Sequence, residues 1–580
     1  VVSVRCVKET VATVEEKGLP ASEVLRRFSL DFITSLSFPK TMRWADHSIR
    51  FVRPIRWILA LFNSETIEIE LDGIRSGNRT KGHRFLSPQD ILIEHPDEYL
   101  KKLSESSVIV DQDRRKEMIL KQLNEISTKE GLRVHEDEEL LEHVTYLVEY
   151  PRALSGTFPE EYLSLPPELL ITVMRDHQKY FALYSDKGLS NRFILISNTS
   201  EQNDPVVRKG AERVIRARFE DARFYYEEDK KKRLSERVEE LKKVVYHERL
   251  GSLYDKTERL KDIAVYLAER LIPEKRQIIE RAAILSKTDL ITGTVREFPE
   301  LQGIMGYYYC LNDGEPEEVA VAIREHYLPQ RAGDRNPSTH EGAILSIADK
   351  TDNIISFFSL GLEPTGSEDP FALRRQAIGI LSILRERNYQ ITVEELVNVA
   401  GKGLRGMDVP FERIISFITQ RFEVILSTEG HDQEIISALG HYLSRTPAED
   451  ILLRLRALEE FKNKDIYPDF ILASKRVYNI LGRSFNPEAS VDESLFESEH
   501  ESALYSKLRD IDRRYKDLLI ARDYVNCLTL LSSMIPEINR FFDNVLVMVK
   551  DERIKSNRLN LLSLIWKRIL AVADFSKIGS

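Results

Sequence analysis

The helical spacing of apolar residues after residue 206 constrains this fold more than any other feature of the sequence. From Val206 onward the chain is rich in charged residues, and its apolar residues recur every three or four positions, as in amphipathic helices. Prolines such as Pro273, Pro299 and Pro316 interrupt the pattern between residues 236 and 390, and helical periodicity dominates beyond residue 391. The pattern predicts that most of the chain folds into packed helices.

The residues before this region combine helical and strand patterns. Residues 21–36 carry apolar side chains close to a 3.6-residue period, which predicts a helix. Residues 66–71 alternate polar with apolar side chains, and residues 193–197 form a short apolar run; both patterns are typical of strands. The predicted fold class is therefore multidomain and mainly α-helical, with an α+β N-terminal part.

A chain of 580 residues is long enough for about three to five domains. The sequence begins with Val1, and its first residues read like the middle of a domain, so we expect a fragment that lacks its natural N-terminus. No charged and apolar start typical of a signal peptide is present. Changes of pattern predict five regions, which are 1–65, 66–235, 236–390, 391–480 and 481–580.

The composition favours a cytoplasmic protein and excludes several classes of site. The three cysteines, Cys6, Cys310 and Cys527, are far apart and form no CxxC pair, which disfavours a disulfide scaffold or a thiolate zinc site. The apolar runs are shorter than the ~20 residues that span a bilayer. The net charge of -10 suits an ordinary cytosolic protein, so any nucleic acid must bind to local basic patches.

Motifs for nucleotide activation are missing from the sequence. There is no GxxxxGK[ST] loop and no HExxH motif. The glycines Gly401, Gly403 and Gly406 match GxGxxG, but a helical run precedes them, so we interpret them as a helix-ending turn. We therefore predict no catalytic residue for adenylation in this chain.

A basic helix over residues 206–229 is the first candidate RNA-binding element. Lys209, Arg213 and Arg216 share one face, because residues three or four apart are neighbours on a helix. The planar guanidinium suits phosphate oxygens. The alternative is a solvated face with ion pairs inside the helix, such as Arg216 with Glu220. Apolar residues at matching spacing should form the packed side; these are Ile215, Phe219, Ala222 and Tyr226.

A glycine-rich basic loop over residues 73–85 is the second candidate. Its glycines allow the backbone to approach a ligand closely, and a basic turn can hold phosphate. Phe85 could stack on a base, whereas the alternative is an ordinary exposed hairpin loop. The basic residues that crowd this loop are Arg75, Arg79, Lys81, His83 and Arg84.

The middle of the chain resembles HD-type metal phosphohydrolases in the spacing of three residues. His247, Asp289 and Asp349 are spaced like part of that metal set. At the central His-Asp motif, however, this sequence has Thr288-Asp289, and a threonine cannot replace an imidazole as a metal ligand. We therefore predict no metal site, only degenerate HD-like positions.

The C-terminal segment is the third candidate RNA-binding element. Residues 550–580 hold seven basic and three acidic residues. Apolar residues at helical spacing should form a core and leave the basic side for phosphates, although a solvated basic face explains the same pattern. The expected core positions are Leu559, Leu562, Ile565 and Ile569.

Several longer motifs resemble the bacterial glycyl-tRNA synthetase beta-subunit family of the two-subunit, tetrameric class II type. They are FPKTMRW at residues 38–44, FVRPIRW at 51–57, EFPELQGIMG at 297–306 and PTGSEDPFALRR at 364–375. The resemblance runs along nearly the whole sequence. It implies an editing-like domain over 66–235, an HD-like helical domain over 236–390, a helical linker region over 391–480 and a DALR-like anticodon-binding bundle over 481–580.

The resemblance also implies a role in glycine–tRNA ligation as part of a complex. A separate alpha subunit would hold ATP, magnesium and glycine, two alpha and two beta chains would assemble, and this chain would bind tRNA(Gly) without a cofactor. The alternatives are an HD-type phosphohydrolase and a structural scaffold for the alpha subunit. The residues that we predict to bind tRNA are Arg553, Lys555, Arg558 and Asn560, then Arg208, Lys209, Arg213 and Arg216, and then Arg79, Lys81 and Arg84.

Overall fold

Strands and helices are divided unequally along the chain. The computed structural model describes residues 2–7, 10–15, 18–331, 333–366, 368–482, 486, 488 and 490–579, with side chains from residue 18 onward. The chain separates into two compact units, Val1–Tyr226 and Glu227–Ser580. Most described strands lie in the first unit and most described helices in the second, so the predicted mainly α fold with an α+β N-terminal part is confirmed.

The first unit contains several small sheets and six α-helices among its described residues. The helices are α1 (Ala21–Ser35), α2 (Tyr99–Glu105), α3 (Gln112–Glu130), α4 (Glu138–Leu147), α5 (Pro167–Thr172) and α6 (Asp204–Lys230), the last of which runs into the second unit. The strands are β1 (Val2–Val7), β2 (Thr10–Glu15), β3 (Ile58–Leu59), β4 (Leu61–Phe62), β5 (Glu65–Thr66), β6 (Glu70–Leu71), β7 (Ile74–Gly77), β8 (Arg79–Lys81), β9 (Asp90–Leu92), β10 (Arg133–Val134), β11 (Arg152–Thr157), β12 (Phe181–Ser185) and β13 (Gly188–Ser197).

A four-stranded antiparallel sheet, in the order β10-β12-β13-β11, organises the later part of this unit. Helices α3 and α4 cover it with a shared apolar core that includes Ile119, Leu140, Leu183 and Ile194. The predicted strand at residues 193–197 lies within β13, where Phe193 and Ile194 are fully buried. Burial of these side chains fixes the sheet against the helices.

The alternating segment at residues 66–71 behaves as its sequence predicts. Ile67, Ile69 and Leu71 are buried, whereas the residues between them are exposed. The Ile67 amide donates to the Ala60 carbonyl, and the Ser76 amide donates to the Ile69 carbonyl. The segment is therefore half-buried extended chain, with its ends in β5 and β6.

The predicted helix near the N-terminus is also present, but its apolar side is uncovered within its unit. Helix α1 begins after Pro20 and has no buried residue. Val24, Phe28 and Phe32 are all about half exposed. The periodicity thus predicted the helix correctly without showing where its apolar face would pack.

The second unit is a stack of helices with one small hairpin among its described residues. The strands of the hairpin are β14 (Val245–His247) and β15 (Gly251–Ser252). The helices are α7 (Leu234–Arg237), α8 (Leu253–Leu271), α9 (Arg276–Leu285), α10 (Gly293–Glu297), α11 (Ile304–Asn312), α12 (Glu317–Glu325), α13 (His340–Ser359), α14 (Leu373–Glu386), α15 (Val393–Gly401), α16 (Phe411–Thr428), α17 (Gln433–Leu439), α18 (Ala448–Lys462), α19 (Tyr467–Leu481), α20 (Glu499–Ile520), α21 (Tyr524–Ser532), α22 (Ile535–Asn544) and α23 (Glu552–Leu570).

Helix α13 forms the centre of the first part of this unit. It packs against α8, α12, α14 and α15, and every residue from Glu341 to Asp352 is buried. A helix that is buried all round must satisfy its polar residues internally, which explains the ion pairs described below. No helix in the described part of the chain is long and apolar enough to cross a membrane.

Helix α23 is the corresponding centre of the C-terminal part. It packs against α19 and α20, and the four expected core positions, Leu559, Leu562, Ile565 and Ile569, are buried. Asp551 caps its first turn by accepting hydrogen bonds from the Arg553 and Ile554 amides. The capped first turn of α23 therefore fixes the position at which the segment between α22 and α23 ends.

Candidate nucleic-acid interface

The outer side of helix α6 carries a row of exposed basic residues. The helix is fixed in rotation by a buried stripe of Ala211, Ile215, Phe219 and Ala222. The Phe219 ring packs edge-on against Phe158, with 4.9 Å between the ring centroids. Because this stripe faces the protein, the opposite positions face solvent. The exposed basic residues are Arg208, Lys209, Arg213, Arg216 and Arg218.

Two acidic residues of α6, Glu212 and Glu220, bind other partners and do not pair with this row. Glu212 accepts hydrogen bonds from the amide and hydroxyl of Thr157, at 3.0 and 3.2 Å. Glu220 accepts from Arg223 and from the Tyr162 hydroxyl, and the Arg223 bond is the main reason that the pKa of Glu220 is lowered. The pair between Arg216 and Glu220, the alternative raised by the sequence, is not formed. Within the described residues, none of the five exposed cations has a carboxylate within 4.0 Å.

The basic residues 73–85 form strands β7 and β8 and the turn after them, and their cations are partly neutralised. Lys81 pairs with Asp90 across strands β8 and β9 at 2.6 Å, while Arg79 is exposed on the same strand. The Arg84 guanidinium lies 5.6 Å from the centroid of the exposed Phe85 ring. The prediction that this loop contacts RNA stays a prediction, with Arg79, Arg84 and Phe85 as its accessible residues.

His83 has a different place from the other residues of this loop. It is fully buried, and its Nδ1 accepts hydrogen bonds from the amides of Phe85 and Leu86, both at 3.2 Å. His83 therefore shapes the turn that presents Arg84 and Phe85. His83 is therefore not accessible to a phosphate, although the sequence places it among the basic residues of this loop.

Two of the predicted C-terminal residues meet at one cleft. Arg553 and Asn560 are seven residues apart on α23, which places them on one face of the helix. With Asn557 they line an open cleft of about 520 Å³ beside residues 490–495. Asn560 also donates to the Ser490 carbonyl at 2.8 Å. Lys555 instead forms an ion pair with Glu552, at 3.1 Å.

Arg558, the fourth predicted C-terminal residue, lies in the interior. Only 5% of its surface is exposed. Its guanidinium donates two hydrogen bonds to Glu501, at 2.8 and 3.2 Å, and one to Glu497 at 3.0 Å. The expectation that Arg558 reads a base therefore needs correction, because a guanidinium buried against two carboxylates is not accessible to RNA. Helical spacing alone could not show that this position faces the core.

The three HD-like positions of the middle region each have separate partners. Asp349 Oδ1 lies 3.0 Å from Lys256 Nζ and 3.1 Å from Lys287 Nζ, and all three side chains are buried. Although burial opposes its charge, the two ammonium groups hold the pKa of Asp349 far below its ordinary value. Burial also lowers the pKa of Lys287 to about 8. Two lysines thus balance the carboxylate that a metal would neutralise in the HD-type pattern.

The other two HD-like positions have separate local partners. Asp289 Oδ2 accepts hydrogen bonds from the Gly303 and Gly306 amides, and burial raises the pKa of Asp289 to about 6. His247 Nδ1 accepts from the Arg249 amide within its hairpin. Among the described residues, no group of three or more His, Cys, Asp or Glu side chains could hold a metal ion. The donor set therefore does not fit the metal chemistry of the rival hypothesis.

Sequence reasoning missed Lys256 and Lys287 as the partners of Asp349. The lysines come from α8 and from the turn after α9, 93 and 62 positions before the aspartate. Lys287 directly precedes the Thr288-Asp289 departure from the HD pattern. Lys287 next to Thr288, where the HD pattern has a histidine, was the one sequence signal that a lysine could take the place of the metal ion beside Asp349.

Comparison with known proteins covers almost the entire chain. The family model "Glycyl-tRNA synthetase beta subunit" matches residues 3–440, and the model "DALR anticodon binding domain" matches residues 471–573. A glycine–tRNA ligase beta subunit of Thermodesulfovibrio yellowstonii is 46% identical over 98% of this chain and 83% of its own length. The relatives from Syntrophomonas wolfei and Clostridioides difficile, of the same description, are 42% and 40% identical over 97% and 98% of this chain, and over 83% of their own lengths.

Proposed function

The chain belongs to the glycyl-tRNA synthetase beta-subunit family, and from this premise we propose that its contribution to ligation is to bind and position tRNA(Gly). It is a ligase component that acts as part of an alpha/beta complex. The anticodon-binding domain matched over residues 471–573 supports tRNA as the ligand. The adenylating chemistry would belong to the alpha chain, since this sequence has no nucleotide-activating motif.

The single observation that carries this proposal is the uncompensated row of cations on α6. The chain as a whole has a net charge of -10, so five exposed basic residues without carboxylate partners are not explained by general composition. Phosphate contacts by such residues supply sequence-independent affinity and orient the RNA. Identity would then be read from unstacked bases by the anticodon-binding domain.

The complex that we propose contains two alpha and two beta chains. ATP and magnesium would bind at the alpha subunit, and this chain would need no cofactor of its own. We place the complex in the cytoplasm, where a reducing environment suits the buried, unpaired thiols of Cys310 and Cys527. The two subunits would share one reaction, with the chemistry in one and most RNA contacts in the other.

The test uses a double variant on the basic row, Arg213→Ala with Arg216→Ala. Binding of labelled tRNA(Gly) is measured between 50 and 300 mM salt (roughly the range over which counterion release dominates). Loss of two phosphate contacts should weaken binding. It should also make the negative slope of log K against log salt shallower by about 1.8. The matched control is Arg223→Ala on the same helix, because Arg223 already pairs with Glu220 and Glu161.

The control variant should leave the salt slope nearly unchanged. Equal slopes for the double variant and the unmodified chain would show that α6 does not contact the phosphates. Absence of any tRNA(Gly) binding by the chain, alone or with its alpha subunit, would overturn the proposal as a whole. In that case the scaffold alternative would account for the family relationship.

A further inference from the structure

The segment between α22 and α23 displays two apolar side chains to solvent from an anchored backbone. Burial alternates along residues 545–548, with Val545 and Val547 buried and Leu546 and Met548 exposed by 72% and 54%, and the chain bends at Val547 and Met548. Single exposed apolar residues are common on proteins. Leu546 and Met548 lie two positions apart, each next to a buried valine, and offer apolar surface that a ligand can cover.

Arg558 fixes the position of this segment. Its Nη1 donates a hydrogen bond of 3.0 Å to the carbonyl of Leu546. The same guanidinium is held by the fully buried Glu501, whose Oε2 also accepts from the Glu497 and Ser498 amides at the start of α20. A continuous set of charge-assisted hydrogen bonds therefore joins the N-terminus of α20, the core of α23 and the Leu546 backbone.

Cations flank the exposed pair and complete a surface that suits RNA. Lys550 and Arg553 are exposed, and within the described part of the chain neither has a carboxylate partner within 4.0 Å. Arg553 lines the cleft on α23 together with Asn557, Asn560 and two acidic residues, Asp492 and Glu552. Apolar surface next to free cations matches a single-stranded RNA loop, which offers unstacked bases and phosphates together.

We propose that Leu546 and Met548 form a platform for unstacked bases of the tRNA anticodon loop, with Arg558 as the residue that positions the platform. This inference rests on the proposed function and deepens it, because it names the part of the RNA and the side chains that meet it. Lys550 and Arg553 bind the adjoining phosphates. Arg558 itself touches no RNA, and its substitution acts through the Leu546 carbonyl.

The experiment compares the full chain with the double variant Leu546→Ser and Met548→Ser. The ligands are tRNA(Gly) and a tRNA(Gly) whose anticodon loop is replaced by an unrelated sequence. The variant should bind tRNA(Gly) about tenfold more weakly, which is the scale of losing the buried contact of one apolar side chain. The slope of log K against log salt should not change, because no charge is lost. On the tRNA with the replaced loop, the variant and the unmodified chain should bind alike.

A matched control is Ile520→Ser at the end of α20, since Ile520 is an exposed apolar residue of the same unit, with 82% of its surface accessible. It should not change the affinity for either RNA. The variant Lys550→Ala with Arg553→Ala should make the negative slope of log K against log salt shallower by about 1.4, which is the value for two phosphates of a single strand. Arg558→Lys keeps the charge but loses the fork geometry, and it should reproduce the Leu546/Met548 effect at an unchanged salt slope.

The outcomes separate this inference from the proposed function. If the unmodified chain binds tRNA(Gly) and the Leu546/Met548 variant binds it equally well, the platform is refuted and the tRNA-binding role stands. If that variant binds tRNA(Gly) normally but no longer assembles with the alpha subunit, the surface is a protein interface and the inference is also refuted. If the unmodified chain binds no tRNA(Gly), both proposals fall together.

Discussion

The buried pair of lysines around Asp349 allows a direct test of how the middle region is stabilised. Replacement of Asp349 by alanine removes the carboxylate that lies 3.0 Å from Lys256 Nζ and 3.1 Å from Lys287 Nζ. Both ammonium groups then remain in a fully packed environment, because α13 is buried from Glu341 to Asp352. The structure predicts a loss of stability in the absence of any metal.

The magnitude follows from the partners that remain. Removal of one partner from a buried ion pair typically costs about 3–5 kcal/mol, since the other charge is left without compensation. Lys256 keeps a second carboxylate, Asp352, at 3.0 Å. Lys287, with its pKa lowered by burial to about 8, can lose its proton at little cost near neutral pH. We therefore expect the lower end of the range, about 3 kcal/mol.

Hydrogen exchange is the suitable assay, because a chain with two units is not expected to unfold in a single two-state step. A loss of about 3 kcal/mol should speed exchange in peptides of α13 roughly a hundredfold, at one factor of ten for each 1.4 kcal/mol. The control is Asp262→Ala, an exposed aspartate on α8. The reasoning is refuted if the α13 peptides of the Asp349→Ala variant exchange as slowly as those of the Asp262→Ala variant. It is also refuted if a stoichiometric amount of Mn²⁺ or Zn²⁺ slows exchange of α13 in the unmodified chain.

Three other perturbations have defined outcomes. Because burial raises the pKa of Asp289 to about 6 from its ordinary 3.8, the folded state holds a proton that the unfolded state has lost, and the contribution of Asp289 to stability falls as pH rises between these values. Asp289→Asn removes this contribution, so the stability of the variant relative to the unmodified chain should rise from pH 4 to pH 6 in thermal melts. Phe219→Ala should destabilise the first unit by about 3–5 kcal/mol in urea titrations, because it empties a fully buried site beside Phe158 and Tyr162, whereas Phe224→Ala at an exposed position of α6 should have little effect. Burial raises the pKa of the Cys310 thiol to about 12, so this thiol should resist alkylation in native protein at pH 8 and react at an ordinary rate after denaturation; rapid native labelling would contradict its packing.

Much of the secondary structure could be predicted because its signal is local. The apolar spacing on residues 206–229 predicted a helix, and α6 covers Asp204–Lys230 with Ile215, Phe219 and Ala222 buried as expected. Alternation at residues 66–71 predicted half-buried chain for the same reason. Periodicity shows which side of a helix or strand is apolar. This pattern arises whenever one side of the element is buried, whatever it packs against.

The direction of individual charged side chains was not predictable in the same way. Arg558 and Arg553 are equally basic and lie five positions apart on α23, yet one is buried against Glu501 and the other is exposed. The partner of Arg558 lies 57 positions away, so no local pattern contains it. Arg216 was expected to pair with Glu220 as an alternative, but Tyr162 and Arg223 bind that carboxylate.

The sequence by itself determined the helical class, the α+β start, the family and the stretches rich in cations, since each depends on residue order along the chain. Only the tertiary structure decided which cations face solvent, and that two lysines lie beside Asp349. The physical reason is that a charge is stable in the interior only beside a partner, and the partners of Arg558 and Asp349 come from distant segments. That pairing depends on packing. Packing therefore decides whether a basic side chain is buried with a carboxylate or exposed on the surface.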